Sequence, residues 1–368
     1  MSAGRPAEGA EPRVAERAEG RRVRPSSLRE LENVAAALVA TGKGLFAMDE
    51  SKARCNERFA LAGIAASSEG RRAWRELLVT APGLGEYISG AILDDETIRQ
   101  KTKQGQRFVA VLGEAGIVCG VRVDAGAKAF AAHPGESVST GLDGLRERLG
   151  EYVAMGARFA VWRAALAVGH GTPSVACIEA NARALARCAA LCQECGLLPV
   201  VAPQILMAGD HTLAQCQAIT EEVLGHVFDA LRTERVQLEA TLLSVGMVLP
   251  GTSCSTQESV DEVADATVKC LMRFVPADIP GIALLSGGQS GELASARLNA
   301  MHVHYRAPDS SLPWALTFSF GGALLHPALE IWGGGDAQRP AAQQALLHQA
   351  RCSRAALRGE FDLGLQRA

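Results

Sequence analysis

Two serine–glycine runs carry the clearest chemical signal in this chain: Leu285-Ser286-Gly287-Gly288-Gln289-Ser290 and Ser319-Phe320-Gly321-Gly322. Glycines packed this closely let backbone N–H groups approach an oxyanion, and the neighbouring hydroxyls add donors, so both runs suit a phosphate. The plain alternative is that the glycines only turn the chain. Arg122 and Arg163 add permanent positive charge nearby; they either hold a second anionic group or pair with Asp124 and Asp49. Further polar residues that end apolar runs are Asp49, Glu50 and Ser51; Asp94, Asp95 and Glu96; Gln204; and Ser244.

Three other patterns invite chemistry and have plainer readings. Cys188, Cys192 and Cys195 match a cluster spacing, but at i, i+4 and i+7 they form one buried face of a helix. His302 and His304 lie near a helix end with no third ligand in register, so no metal site is read there. Gly42-Lys43-Gly44 lacks the spacing of a phosphate-binding P-loop.

The elements that must position these residues recur regularly. Apolar runs at Gly44–Ser51, Ile88–Glu96, Val118–Asp124, Phe159–Leu166, Leu198–Leu206, Val236–Val245, Ile282–Gly288 and Trp314–Gly321 each lead into a helical pattern. Their starts are roughly 30–45 residues apart, the length of a strand, crossover and helix. In Leu213–Leu231 the apolar residues fall at steps of three or four. Ser174–Cys195 follows Pro173 and stops at Gly196, Leu142–Met155 stops at Gly156, and Val260–Phe274 stops before Pro276. Eight such units with no long insertion predict a single-domain α/β fold, the (β/α)8 TIM barrel, over residues 28–335. No G-x-G-x-x-G follows the first strand, which disfavours an open doubly wound sheet. A helical segment and tail follow at 336–368.

The 368 residues are 48% hydrophobic with a formal net charge of −3, enough for a large core and no electrostatic case for nucleic acid or a membrane surface. No apolar run reaches the roughly 18 residues of a membrane span. Ten cysteines with no signal peptide fit a reducing cytoplasm. Residues 1–27 hold almost no large apolar side chains and read as a disordered tail; Glu8, Glu11, Glu16 and Glu19 argue against a transit peptide.

Several segments resemble class I fructose-1,6-bisphosphate aldolase. They are Thr41–Ser51 (TGKGLFAMDES), Gly141–Leu145, Phe159–Arg163 (FAVWR), Gly209-Asp210-His211, Leu285–Ser290 (LSGGQS) and Trp314–Ser319 (WALTFS). The resemblance runs collinearly from Leu28 to Gly335. It implies a glycolytic lyase that cleaves fructose 1,6-bisphosphate to dihydroxyacetone phosphate and glyceraldehyde 3-phosphate through a lysine imine, needing no cofactor. It also implies a homo-oligomer, a tetramer. The protonated imine is the electron sink for breaking a carbon–carbon bond beside a ketone.

The same resemblance puts the imine lysine at Ser244, a second lysine at Val161, two glutamates at Ala202 and Gln204, a third lysine at Arg122 and a phosphate-binding arginine at Gly322. Asp49, Ser51, Arg163, Ser286 and Ser319 still match, and no tyrosine stands near Ala368. The chain's six lysines are Lys43, Lys52, Lys101, Lys103, Lys128 and Lys269; only Lys52 and Lys128 follow strand ends. Neither lies on a strand, where a low-dielectric wall would depress its pKa. Losing one partner of a buried ion pair costs roughly 3–5 kcal/mol, whereas losing both is nearly neutral. The joint replacements thus predict a pseudoenzyme that keeps the fold and a sugar-phosphate site at Ser51, Arg122, Arg163, Ser286, Gly287, Gly288, Ser319 and Gly321, with Asp49 retained. The alternatives are an aldehyde-lyase with an altered mechanism and a non-catalytic interaction scaffold. A metal-dependent aldol cleavage needs a histidine cluster on strand ends, and the sequence has none.

Overall fold

The structure, a computed structural model, describes residues 25–305 and 311–367. The tail expected at 1–27 lies outside the described residues except for Pro25–Ser27, which open the first helix. The strands are β1 (Gly44–Ala47), β2 (Ile88–Leu93), β3 (Val118–Arg122), β4 (Ala127–Ala129), β5 (Ser137–Ser139), β6 (Phe159–Leu166), β7 (Leu198–Ile205), β8 (Leu242–Gly246), β9 (Gly281–Leu285) and β10 (Ala315–Phe320). The helices are α1 (Pro25–Leu38), α2 (Lys52–Leu61), α3 (Ser68–Val79), α4 (Asp95–Arg99), α5 (Phe108–Glu114), α6 (Leu145–Met155), α7 (Val175–Glu194), α8 (Leu213–Thr233), α9 (Val260–Phe274), α10 (Gly291–His304), α11 (Gly322–Trp332), α12 (Arg339–Leu357) and α13 (Leu363–Arg367).

Eight parallel strands close into a barrel in the order β1-β10-β9-β8-β7-β6-β3-β2, as the eight repeating units predict. Because strand side chains alternate, one set fills the bore and the other meets the helices. The bore is packed by Leu45, Phe159, Val161, Val200, Ala202, Leu242 and Ala283, and α1 caps its base with Leu31, Ala35 and Leu38. A Cβ on Gly120 would lie 2.3 Å from the Phe159 ring, so that close approach requires glycine. Outside, the strands pack against buried helix faces, including Cys188 and Cys192, whose sulfurs are 3.8 Å apart as free thiols.

Three features differ from the sequence reading. The apolar run at Val236–Val245 is not one strand: Leu238–Ala240 form a 3-10 turn and β8 begins only at Leu242. The Gln193 amide on α7 accounts for the turn, donating to the carbonyls of Gln237 (2.8 Å) and Ala240 (3.0 Å). Several other runs overshoot, because their polar ends begin helices. Asp94 accepts from Thr97 N to cap α4, and Ser51 accepts from Arg54 N to cap α2. Finally, the crossover after β3 carries an antiparallel hairpin, β4–β5, which no pattern foretold. Asn181 Oδ1 accepts from Ser139 N (3.0 Å), and Trp162 Nε1 donates to Ser139 Oγ (2.9 Å), pinning the hairpin to the barrel wall.

Candidate functional site

A polar cavity of about 470 Å³ opens at the carboxyl ends of the strands. Asp49, just past β1, is 2% exposed. Arg163 reaches it from β6, its Nη2 lying 2.9 Å from Oδ1 and 2.8 Å from Oδ2. Arg122 ends β3 with Nε 3.8 Å from Asp124 Oδ2 and no hydrogen bond from that nitrogen. Asp124 is otherwise engaged by the backbone N–H groups of Gly126 (3.1 Å) and Arg163 (3.3 Å). Both arginines therefore face carboxylates, and both also line the cavity.

The opposite wall is the two serine–glycine runs. After β9, Gly287 and Gly288 adopt φ of +58° and +81°, which turns the chain sharply before α10. Arg297 on α10 is buried beneath this loop and donates to Gln289 Oε1 at 2.6 Å. Burial pulls the Arg297 guanidinium below its ordinary pKa. After β10, Ser319 is 1% exposed with an unpartnered hydroxyl, and Gly321 precedes the N-terminus of α11. Ser286, Gly287, Gly288, Ser319 and Gly321 all line the cavity, as does Ser51.

Glu50, at the end of the first apolar run, also lines this cavity, and three further lining residues escaped the sequence reading: Arg54, Arg58 and His326. Arg58 Nε is 2.6 Å from Glu50 Oε1. Burial raises the Glu50 carboxyl, and the Arg58 charge opposes that rise. Arg54 and Arg58 are four residues apart on α2, so helical periodicity after Ser51 was the signal that could have found them. His326 is likewise four residues beyond Gly322 on α11.

Beneath the cavity the bore is neutral. Val161 and Ala202 are 1% exposed and Ser244 is 2% exposed, with Ala202 paired to Arg163 and Ser244 to Ala283 in the sheet register. Gln204 lies at the cavity edge. No lysine lines the cavity. Lys52 Nζ stands at the rim, 65% exposed and 3.8 Å from Glu96 Oε1. Contrary to the sequence expectation Lys128 does lie on a strand, β4, but that strand belongs to the exposed hairpin outside the barrel; Lys43 donates to Gly85 O, and Lys269 pairs with Asp265 on α9.

The acidic end of the second strand is tied elsewhere. Glu96 is gripped by Arg71 at 2.8 and 2.9 Å and by Arg75 at 2.5 Å, hydrogen bonds that lower its carboxyl to about 2. Asp94 lies 3.3 Å from Arg75, and Asp95 2.9 Å from Arg99. Among the described residues no group of three His, Cys, Asp or Glu side chains could hold a metal ion, and His304 lies 3.4 Å from Asp261.

This geometry, a closed barrel with an anion-suited mouth, has known counterparts. The family model for fructose-bisphosphate aldolase class-I matches residues 30–368. A probable fructose-bisphosphate aldolase class 1 from Xanthomonas campestris pv. campestris is 50% identical over 323 residues, covering 88% of this chain and 95% of the relative. The cytosolic fructose-bisphosphate aldolase 4 of Arabidopsis thaliana is 44% identical over 340 residues, 92% of this chain and 86% of the relative. The solved fructose-bisphosphate aldolase of Plasmodium falciparum, in complex with TRAP and a small-molecule inhibitor, superposes with a TM-score of 0.90 at 39% identity, covering 93% of this chain and 98% of that one. The match spans nearly the whole barrel and the described C-terminal helices, and so the chain belongs to the class I fructose-bisphosphate aldolase family.

Proposed function

We propose that this barrel binds a phosphorylated sugar at its mouth but does not cleave it through an imine. The observation that carries the reading is the neutral bore: Val161, Ala202 and Ser244 are buried side chains, none of which can form or protonate an imine. The rim lysine, Lys52, is solvated and faces Glu96 rather than the bore. Support for the binding half comes from the cations around the cavity, Arg54, Arg58, Arg122 and Arg163, set against the glycine loops after β9 and β10. The ligand's phosphates would lie against Ser286–Gly288, Ser319 and Gly321, with Ser51 and Arg122 on the facing wall.

Borohydride reduction in the presence of dihydroxyacetone phosphate, followed by intact-mass analysis, tests the catalytic half. The expected spectrum shows only the unmodified chain; a reduced adduct of one triose phosphate overturns the reading. A homo-oligomer, a tetramer by family, and a cytoplasmic location go with this proposal, the latter supported by ten free cysteines. No described helix is long and apolar enough to cross a membrane. Sedimentation analysis of the purified chain checks the assembly.

A further inference from the structure

Gly322 has no side chain, and two nitrogen-bearing groups converge on the space that one would fill. A Cβ there would lie 3.3 Å from Arg58 Nη2 and 3.4 Å from His326 Nε2. Both residues line the mouth cavity, and the N-terminus of α11 opens onto the same space. Ser319, buried beside it, has a hydroxyl with no partner. Glu50 occupies Arg58 Nε, while Arg58 Nη1 makes no hydrogen bond.

We propose that His326 takes the place of a permanent cation at this wall and couples anion capture to uptake of one proton from solvent. This rests on the anion-binding reading of the mouth and adds its regulation. The charged groups facing His326 are Arg58 from α2 and Glu330 from its own helix, with Glu50 acting through Arg58 and Arg54 on the same cavity wall. Partial desolvation of the ring against the cavity wall and the Arg58 charge hold the imidazole below its usual pKa, and Glu330 opposes them. A dianion seated between Arg58 and His326 reverses the electrostatic balance. It offsets the guanidinium charge and gives an imidazolium N–H an acceptor, so the bound state favours the protonated ring. Binding that takes up a proton weakens as pH rises, by at most about tenfold per pH unit for a single group.

Sulfate is the suitable probe, because phosphate itself titrates within the same pH range and would mask the effect. Sulfate titrations of the full chain, read by calorimetry from about pH 5.5 to about 8 across the histidine range, give the slope directly. Repeating them in two buffers of different ionisation enthalpy counts the protons. The expected result is roughly tenfold weaker sulfate binding at the alkaline end, with about one proton taken up on binding below neutrality. His326→Gln should abolish both, binding at every pH as weakly as the wild type does at the alkaline end. His326 is exposed, so the glutamine variant will fold, and its melting temperature checks this. A variant that keeps the slope and the proton uptake, or a wild type that binds sulfate equally across the range, overturns the proposal while leaving the anion site intact. If the wild type binds no sulfate at any pH, the anion-binding reading itself fails and this inference goes with it.

Discussion

Arg163 Nη2 lies 2.9 Å from one carboxylate oxygen of Asp49 and 2.8 Å from the other, so a single guanidinium nitrogen joins β6 to the loop after β1 across the mouth of the bore. Ala202, the sheet neighbour of Arg163, is apolar, and Ser244 below brings no charge. The pair therefore supplies for itself the electrostatic compensation that a charged bore would otherwise share.

Arg163→Met should destabilise the fold by about 3 kcal/mol, toward the low end for a broken buried pair because the arginine is partly exposed. Adding Asp49→Asn to that variant should restore most of the loss. A urea-unfolding double-mutant cycle reads the coupling. Additive losses from the two substitutions would mean that the pair contributes nothing.

The Glu96 network gives a prediction in acid. Its carboxyl falls from 4.5 to about 2 in the folded chain, held down by Arg71 and Arg75. A depressed folded value means that the stabilisation is complete above the unfolded value and disappears as pH falls through about 4.5 toward 2. Glu96→Gln should therefore cost about 2 kcal/mol at neutral pH, after allowing for solvent screening, and almost nothing near the acid limit. Unfolding free energies of both proteins across that window check the sign. A gap that stays constant with pH excludes the network as its source.

The barrel was legible from the sequence because its signal is repeated: eight apolar runs, each followed by a helix, leave few architectures open. Single elements were harder to read. Val236–Val245 looks continuous, yet its turn depends on Gln193, which lies far away in sequence. The β4–β5 hairpin has almost no apolar alternation, and contacts to Asn181 and Trp162 hold it. In the site, Asp49, Arg163 and the two glycine loops were readable because strand ends in a barrel converge. Arg58 and His326 were not, since each projects from a helix and only the fold brings both to Gly322.

Gly287→Val tests the loop after β9. A β-branched side chain is strained at φ +58°, and its Cβ would sit 3.3 Å from Leu249 Cδ1. We expect a loss of about 1–3 kcal/mol in stability. Millimolar inorganic phosphate is expected to raise the melting temperature of the wild type but not of this variant. A variant with full stability and an unchanged phosphate shift would remove this loop from the site.

The strongest test rebuilds the bore. Ser244→Lys alone places an ammonium where the wild-type residue is 2% exposed and its bore neighbours are neutral. We expect that variant to lose several kcal/mol, on the order of 3, or to keep its lysine neutral by a depressed pKa. Adding Val161→Lys and Ala202→Glu supplies a carboxylate and a second ammonium, and should recover much of that stability, because paired buried charges are tolerated where lone ones are not. The triple variant should then form a borohydride-trappable adduct with dihydroxyacetone phosphate and show slow cleavage of fructose 1,6-bisphosphate. A folded triple variant that yields no adduct at millimolar triose phosphate would mean that more than the bore charges separates this chain from imine chemistry. Arg122 and Gly322 would be the next positions to exchange.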